Sequence, residues 1–217
     1  MKHHRTAVIL VLLASIPLLA SYKTRPWKPR PAEDYPARLT SEGVTIAAEP
    51  LYRDDLAALV FDKKDIVTRG IIPLAVAVFN DNDFPVQVVA ETVELTGEGE
   101  RQRTLLPGEA VARIFQKSGK SFGFPLPIPK ISIPGDPRYL PLQDFEHKFL
   151  KGKVIQPHQA GGGFLFFQKP AADVRSFLSA ARLYIPDIVR EDDGTRMIFF
   201  EIDLKPTIDQ PSATRRP

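Results

Sequence analysis

Two stretches of this sequence carry apolar side chains at a spacing suited to strands, each paired with a short polar turn, and that pattern decides which folds are open to it. Ile198, Phe200, Ile202 and Leu204 alternate with Phe199, Glu201 and Asp203, so a strand here buries one face and leaves the other largely solvated. Arg182-Leu183-Tyr184-Ile185 reads as its partner strand, and Asp193-Gly194 between them is a strong hairpin turn signal. Earlier in the chain, Leu74 to Phe79 is rich in β-branched and small apolar residues. Asn80-Asp81-Asn82-Asp83 tolerates turn conformations, and Pro85 to Leu95 resumes as a strand with Val89, Val93 and Leu95 on one face. Both arrangements are expected to be antiparallel hairpins. A parallel sheet needs a crossover, usually a helix, between successive strands, and neither hairpin leaves room for one. Val44 to Ala47, a short strand at Val60-Phe61 and a central strand at Gly162 to Phe167 bring the expected total to about seven strands in an antiparallel two-layer sandwich.

Composition supports a folded chain. The sequence has 217 residues, 43% apolar and 25% charged, which excludes collagen-like and disordered classes. It has no cysteine, which excludes disulfides, a thiolate nucleophile, a cysteine metal site and a lipidated N-terminal cysteine. Proline is the outlier: 21 residues, about twice ordinary usage. Lys2 to Arg5 give a basic start, and Ala7 to Ala20 follow as a 14-residue apolar run that ends in the small residues Ala20 and Ser21. That run is shorter than the ~20 residues of a comfortable membrane span. It fits a secretory signal peptide over residues 1–20, with a short N-terminal anchor as the alternative. Cleavage after Ala20 removes Lys2 and Arg5 and lowers the formal charge from +3 to +1, which argues against a nucleic-acid partner.

Residues 21–42 alternate proline, basic and aromatic residues and read as an extended basic linker. The folded unit is expected over 43–205, with a tail over 206–217 that is too polar to fold. Within the unit, the 57 residues 105–161 are too long for an ordinary loop and must carry structure of their own. Ala110, Val111, Ile114 and Phe115 line one helical face, and Leu142, Phe145, Phe149 and Leu150 line a second. Pro107-Gly108-Glu109 and Pro141 are suitable helix starts. The stretch between these helices holds six prolines and reads as an extended strap.

Motifs for chemistry are incomplete. Gly119-Lys120-Ser121 ends like a phosphate-binding loop, but Ile114 stands where that loop needs glycine. Asp81-Asn82-Asp83 opens like a calcium loop, but Phe84-Pro85 replaces its continuation. No G-x-S-x-G turn is present. Gly161-Gly162-Gly163 reads as a tight turn into a strand. Asp54-Asp55 and Glu191-Asp192-Asp193 are paired acids of the type glycosidases use, and solvated acids explain them equally. The enzymatic alternative is a hydrolase or metal-dependent site around Asp144, Glu146, His147 and His158. No cofactor is called for.

A binding surface is the stronger expectation. Over 117–153, seven cations (Lys117, Lys120, Lys130, Arg138, Lys148, Lys151 and Lys153) face three acids (Asp136, Asp144 and Glu146). Aromatic residues Phe122, Phe124, Tyr139, Phe145 and Phe149 are interleaved with them, Phe145 and Phe149 being suited to pinning the strap to the core. Lys117, Lys120, Phe122, Phe124, Lys130, Arg138 and Tyr139 are the candidate contact residues for an envelope protein, a glycan or an anionic polymer, since a proline-stiffened segment loses little freedom on binding.

The segment Ile72 to Val88 (IPLAVAVFNDNDFPVQV), with its continuation to Leu95, resembles the strand–Asn turn–strand hairpin of bacterial immunoglobulin-like envelope domains. It also looks like the sandwich domains of water-stress (late-embryogenesis-abundant type) proteins, where a valine-rich strand, an Asn-rich turn and a Phe-Pro-Val restart recur. The resemblance implies an immunoglobulin-like β-sandwich without a catalytic site, used for adhesion, scaffolding or stabilisation, and transfers no functional residue. The expectation is an exported, extracytoplasmic, non-catalytic envelope module. Besides the enzymatic alternative, a membrane-tethered accessory protein that retains its N-terminal segment stays open.

Overall fold

The computed structural model describes residues 22–116 and 136–210. In chain order the strands are β1 (Ala37–Ser41), β2 (Val44–Pro50), β3 (Ile71–Asn80), β4 (Val86–Val88), β5 (Glu94–Gly97), β6 (Glu100–Arg103), β7 (Val154–Ile155), β8 (Gln159–Gln168), β9 (Arg182–Ile185), β10 (Ile188–Arg190) and β11 (Phe200–Asp203). The helices are α1 (Asp54–Ala57), α2 (Pro107–Ile114), α3 (Tyr139–Lys148), α4 (Val174–Ser179) and α5 (Lys205–Asp209). The fold is mainly β and every sheet is antiparallel, consistent with a β-sandwich. The strand orders are β1-β2-β3-β8, β11-β9-β5-β6 and β10-β4-β7.

The first sheet is built around β3, whose residues are buried over nearly their whole length. Its two faces have different jobs. Leu74, Val76 and Val78 lie on one face with Ile46 and Ala48 of β2 and Leu165 and Phe167 of β8. That face meets the second sheet, where Leu95, Leu183, Ile185, Phe200 and Ile202 point inward while Glu94, Thr96, Tyr184, Glu201 and Asp203 point away. The other face of the first sheet carries Ala47, Ala75, Ala77, Phe79, Phe164 and Phe166. A third layer covers it. Phe61, Phe145 and Phe149 pack on Phe166, with Phe145 stacked at 4.8 Å, while Tyr35 sits on Ala47 and Ala77. The small alanines leave room for that chain to lie close.

The helix starts expected in the insertion are present. Glu109 reaches back to accept the Leu106 backbone N–H at 2.9 Å, and Pro107 occupies the first turn of α2. α3 begins two residues before Pro141, and Phe145 and Phe149 are buried against the sheet. The insertion also closes an open edge. The Leu105 N–H bonds the Phe166 carbonyl at 2.7 Å and the Leu150 N–H bonds the Phe164 carbonyl at 3.1 Å, so β8, last in its ladder, is paired on both sides. This corrects the expectation of a central strand at 162–167: the strand is last in its sheet, and irregular chain covers its outer edge.

Four further expectations are corrected. β3 and β4 do not form a hairpin, because β2 and β8 already occupy both edges of β3. Asn80 is buried, and its side-chain amide donates to the carbonyls of Phe84 (2.7 Å) and Ile155 (3.1 Å), turning the chain into a different sheet. The tight two-residue hairpins lie elsewhere, at Glu42-Gly43 and Glu98-Gly99, all four with positive φ as a type I′ turn requires. Asp193-Gly194 does turn, closing Arg190 onto Thr195 at 2.9 Å, but that loop interrupts the antiparallel pair β9–β11 and sends β10 to β4.

Second, Val60-Phe61 is a turn after α1. Third, Gly161-Gly162-Gly163 lies inside β8, where a Cβ on Gly162 would meet the Val76 carbonyl at 2.1 Å. The run is glycine because chain crowds it on both sides. Fourth, the folded unit extends past both expected limits. Residues 37–41, assigned to the linker, form β1, and residues 205–209, assigned largely to the tail, form α5 with Ile208 buried.

Candidate functional site

A buried group of polar side chains lies where the N-terminal arm, residues 22–36, meets α3. Asp144 and Lys148 stand one turn apart on the buried face of the helix, and their charged ends are 2.5 Å apart. Lys148 Nζ also donates to the Val60 carbonyl at 3.0 Å and lies 4.9 Å from the centre of the Phe61 ring. Tyr22 completes the group, its hydroxyl donating to Asp144 at 2.7 Å. Burial holds the Lys148 ammonium below its ordinary pKa against the opposing pull of Asp144. Burial, and then the bond to Asp144, raise the Tyr22 phenol well above its ordinary value.

The arm continues along the third layer. The Lys23 N–H bonds Asp62 at 2.8 Å, Arg25 pairs with the same carboxylate and with the Ala58 carbonyl, and Trp27 meets Phe164 edge-on at 5.0 Å. Arg30 lies over the Tyr35 ring and pairs with Glu49 at 3.2 Å. A spacer would make none of these contacts.

Of the candidate contact residues, Lys117, Lys120, Phe122, Phe124 and Lys130 lie outside the described residues. Arg138 is committed to Asp136 through two parallel contacts, which hold the Asp136 carboxyl down at about 2. Tyr139 opens α3 and its hydroxyl accepts from Gln143 at 3.0 Å. Both flanks of the strap are fixed at one end of the molecule. α2 packs against α3, Lys63 lies over the ring of Phe115, and Arg69 binds the Gln116 carbonyl at 3.1 Å. The basic character expected over 117–153 is reduced by pairing: Lys148 is buried on Asp144, Lys151 meets Glu91 at 2.5 Å, and Lys153 donates to the Gly162 carbonyl at 3.0 Å.

The four residues of the enzymatic alternative do not converge. Asp144 is buried on Lys148 and Tyr22, Glu146 and His147 are exposed on other faces of α3, and His158 pairs with exposed Asp83 at 3.0 Å. Among the described residues no group of three His, Cys, Asp or Glu side chains could hold a metal ion. Among the same residues no helix is long and apolar enough to cross a membrane. A hollow of about 350 Å³ beside the β5–β6 turn is walled by Glu98, Glu100, Arg101 and Arg182, whose charges are largely committed: Glu100 to Lys169, Arg101 to Glu94 and Arg182 to Glu201.

Sequence reasoning missed the role of Tyr22 and the burial of Lys148. The i,i+4 spacing of Asp144 and Lys148 beside Phe145 and Phe149 was the available signal, since it puts the pair next to the apolar stripe.

No family model matches the sequence, and no curated protein matches it. The chain is similar to the crystal structure of "a putative lipoprotein (ycdA)" from Bacillus subtilis subsp. subtilis str. 168, at 14% sequence identity and a TM-score of 0.38. The match covers 77% of this chain and 38% of that one, so the chain spans well under half the length of that protein.

Proposed function

We propose that this chain is an exported, non-catalytic module of the cell envelope, in which a rigid β scaffold presents the basic, aromatic segment 117–138 to an envelope protein, a glycan or an anionic polymer. The observation that supports this reading most directly is the mounting of that segment. It leaves from α2 and returns to α3, two helices packed on each other, and its last residues are locked by the Asp136–Arg138 fork. A segment mounted at both ends gives up less freedom on binding than a free tail. The apolar run at Ala7 to Ala20 supports an extracytoplasmic location.

Affinity capture from an envelope extract tests the reading, with two baits: the native chain, and a chain in which residues 118–135 are replaced by a Gly-Ser segment of equal length. Circular dichroism establishes that both baits are folded. Loss of a captured component with the replaced bait supports the proposal, and identical capture by two folded baits overturns it.

A further inference from the structure

From the placement of the N-terminal arm we infer that the end of the molecule around Leu59 and Leu140 is a docking surface for an anionic lipid bilayer. The inference rests on reading residues 1–20 as a retained N-terminal anchor, the alternative to a cleaved signal peptide, and it goes beyond that reading by assigning which face of the folded unit meets the lipid.

Three observations carry it. The first is where the apolar run ends. Ala20 is two residues from Tyr22, and Tyr22 is fixed to Asp144 on α3. A two-residue gap reaches at most ~7 Å. Any membrane engaged by residues 7–20 is therefore tethered close to this end of the protein.

The second observation is exposed apolar surface at the same place. Leu140 precedes Asp144 by one helical turn and is 43% exposed. Leu59 follows Ala58, whose carbonyl receives Arg25, and is 53% exposed. Leu140 thus lies on the helix that holds Tyr22, and Leu59 adjoins the residue that holds Arg25. Large apolar side chains left in water beside a membrane-entering segment are what an interfacial contact uses.

The third observation is charge. Three nearby carboxylates have cationic partners, Asp62 with Arg25, Asp65 with Lys63 and Arg69, and Asp144 with Lys148, while Glu146 of α3 is exposed. Lys23 and Lys64 are exposed beside them. The sign left toward solvent is positive, which complements anionic headgroups.

The absence of cysteine in the native sequence makes a site-specific test direct. Full-length chains carrying Leu59→Cys, Leu140→Cys or Phe199→Cys are made by cell-free synthesis, so that residues 1–20 are retained, and labelled with an environment-sensitive fluorophore. Phe199 is 54% exposed and lies tilted against Tyr184, which points away from the interior on the far side of the sandwich, so it serves as the reference. The chains are mixed with vesicles of phosphatidylglycerol and phosphatidylcholine containing a lipid-borne quencher, then separated by flotation.

The expected result is quenching at positions 59 and 140 at least ~3-fold stronger than at 199, the contrast between a probe at the headgroup boundary and one in water. The contrast should shrink when phosphatidylcholine is the sole lipid. Floated chains with equal quenching at all three positions overturn the docking surface and leave the reading of residues 1–20 standing. Chains that do not float overturn that reading, and the docking surface with it.

Discussion

Lys148 illustrates how far a residue's role depends on what its neighbours do to water around it. In a list of charges it belongs to a basic surface; in the fold it is 5% exposed, and its positive end is met by Asp144, the Val60 carbonyl and the Phe61 ring. Bringing two charges out of water costs several kcal/mol per ion, and their attraction repays this only when both are present. Asp144→Asn or Lys148→Met alone should therefore lose about 3–5 kcal/mol of stability, because one charge stays buried without its counterpart. The double variant Asp144→Leu/Lys148→Met removes both charges and should come within about 1 kcal/mol of the native chain or exceed it. Tyr22→Phe should cost about 1.5–3 kcal/mol, the net worth of a hydrogen bond to a charged group. Urea unfolding of the four chains checks the series. A double loss equal to the sum of the two single losses would show that the pair does not act as a unit.

At the scale of elements, β8 shows how a poor strand sequence becomes a well-paired one. Gly161-Gly162-Gly163 has little intrinsic preference for an extended ladder, yet it pairs with Val78, Ala77 and Val76 through its whole length. Crowding explains the choice. A side chain on Gly163 would meet the Lys148 carbonyl at 2.5 Å and the Leu150 backbone at 2.9 Å, and one on Gly162 would meet the Val76 carbonyl. Gly163→Ala, at a position without a positive φ, should cost at least ~2 kcal/mol, since backbone rather than a flexible side chain must move. Gly99→Ala is the contrasting case: its φ of +78° strains alanine, but no atom lies within 4 Å. Its cost should be confined to the ~1–2 kcal/mol of a left-handed residue. Chemical denaturation of the two variants separates steric crowding from backbone strain, and a Gly163 variant as stable as the Gly99 one would sink the crowding argument.

Across the whole molecule, the arm is the third layer that a two-layer sandwich lacks. Tyr35 is 1% exposed on the alanines of β2 and β3, and Trp27 leans on Phe164. Without this cover the outer face of the first sheet would present Ala47, Ala77 and Phe79 to water. Tyr35→Ala should lower stability by roughly 3 kcal/mol, the low end for removing a large aromatic from a packed site. Thermal unfolding followed by circular dichroism checks it, and an unchanged midpoint would mean that the arm is the free spacer its composition suggests. A docked arm also sets the geometry of the membrane question, because it removes any slack between the apolar run and the folded unit.

Period-two patterns and the short turns were enough to read the class of fold, since alternation fixes which side chains share a face whatever the partner strand is. The helices of the insertion were legible for the same kind of reason: Pro107 and Glu109 act locally, through the first turn they begin. Pairing was not legible. Asn80 to Asp83 carries every local mark of a hairpin, but β3 had two other edges to satisfy, and the chain crosses to a different sheet. The proline-rich arm was likewise read as a linker, because proline removes the local hydrogen bonds that signal order, while its burial depends on alanines more than ten residues away in sequence. Local chemistry thus determined the fold class and several of the elements of this protein from the sequence by itself. Which edges meet, which charges are buried together and which segment becomes the outer layer are competitions between distant surfaces for burial, and only the tertiary structure decides them.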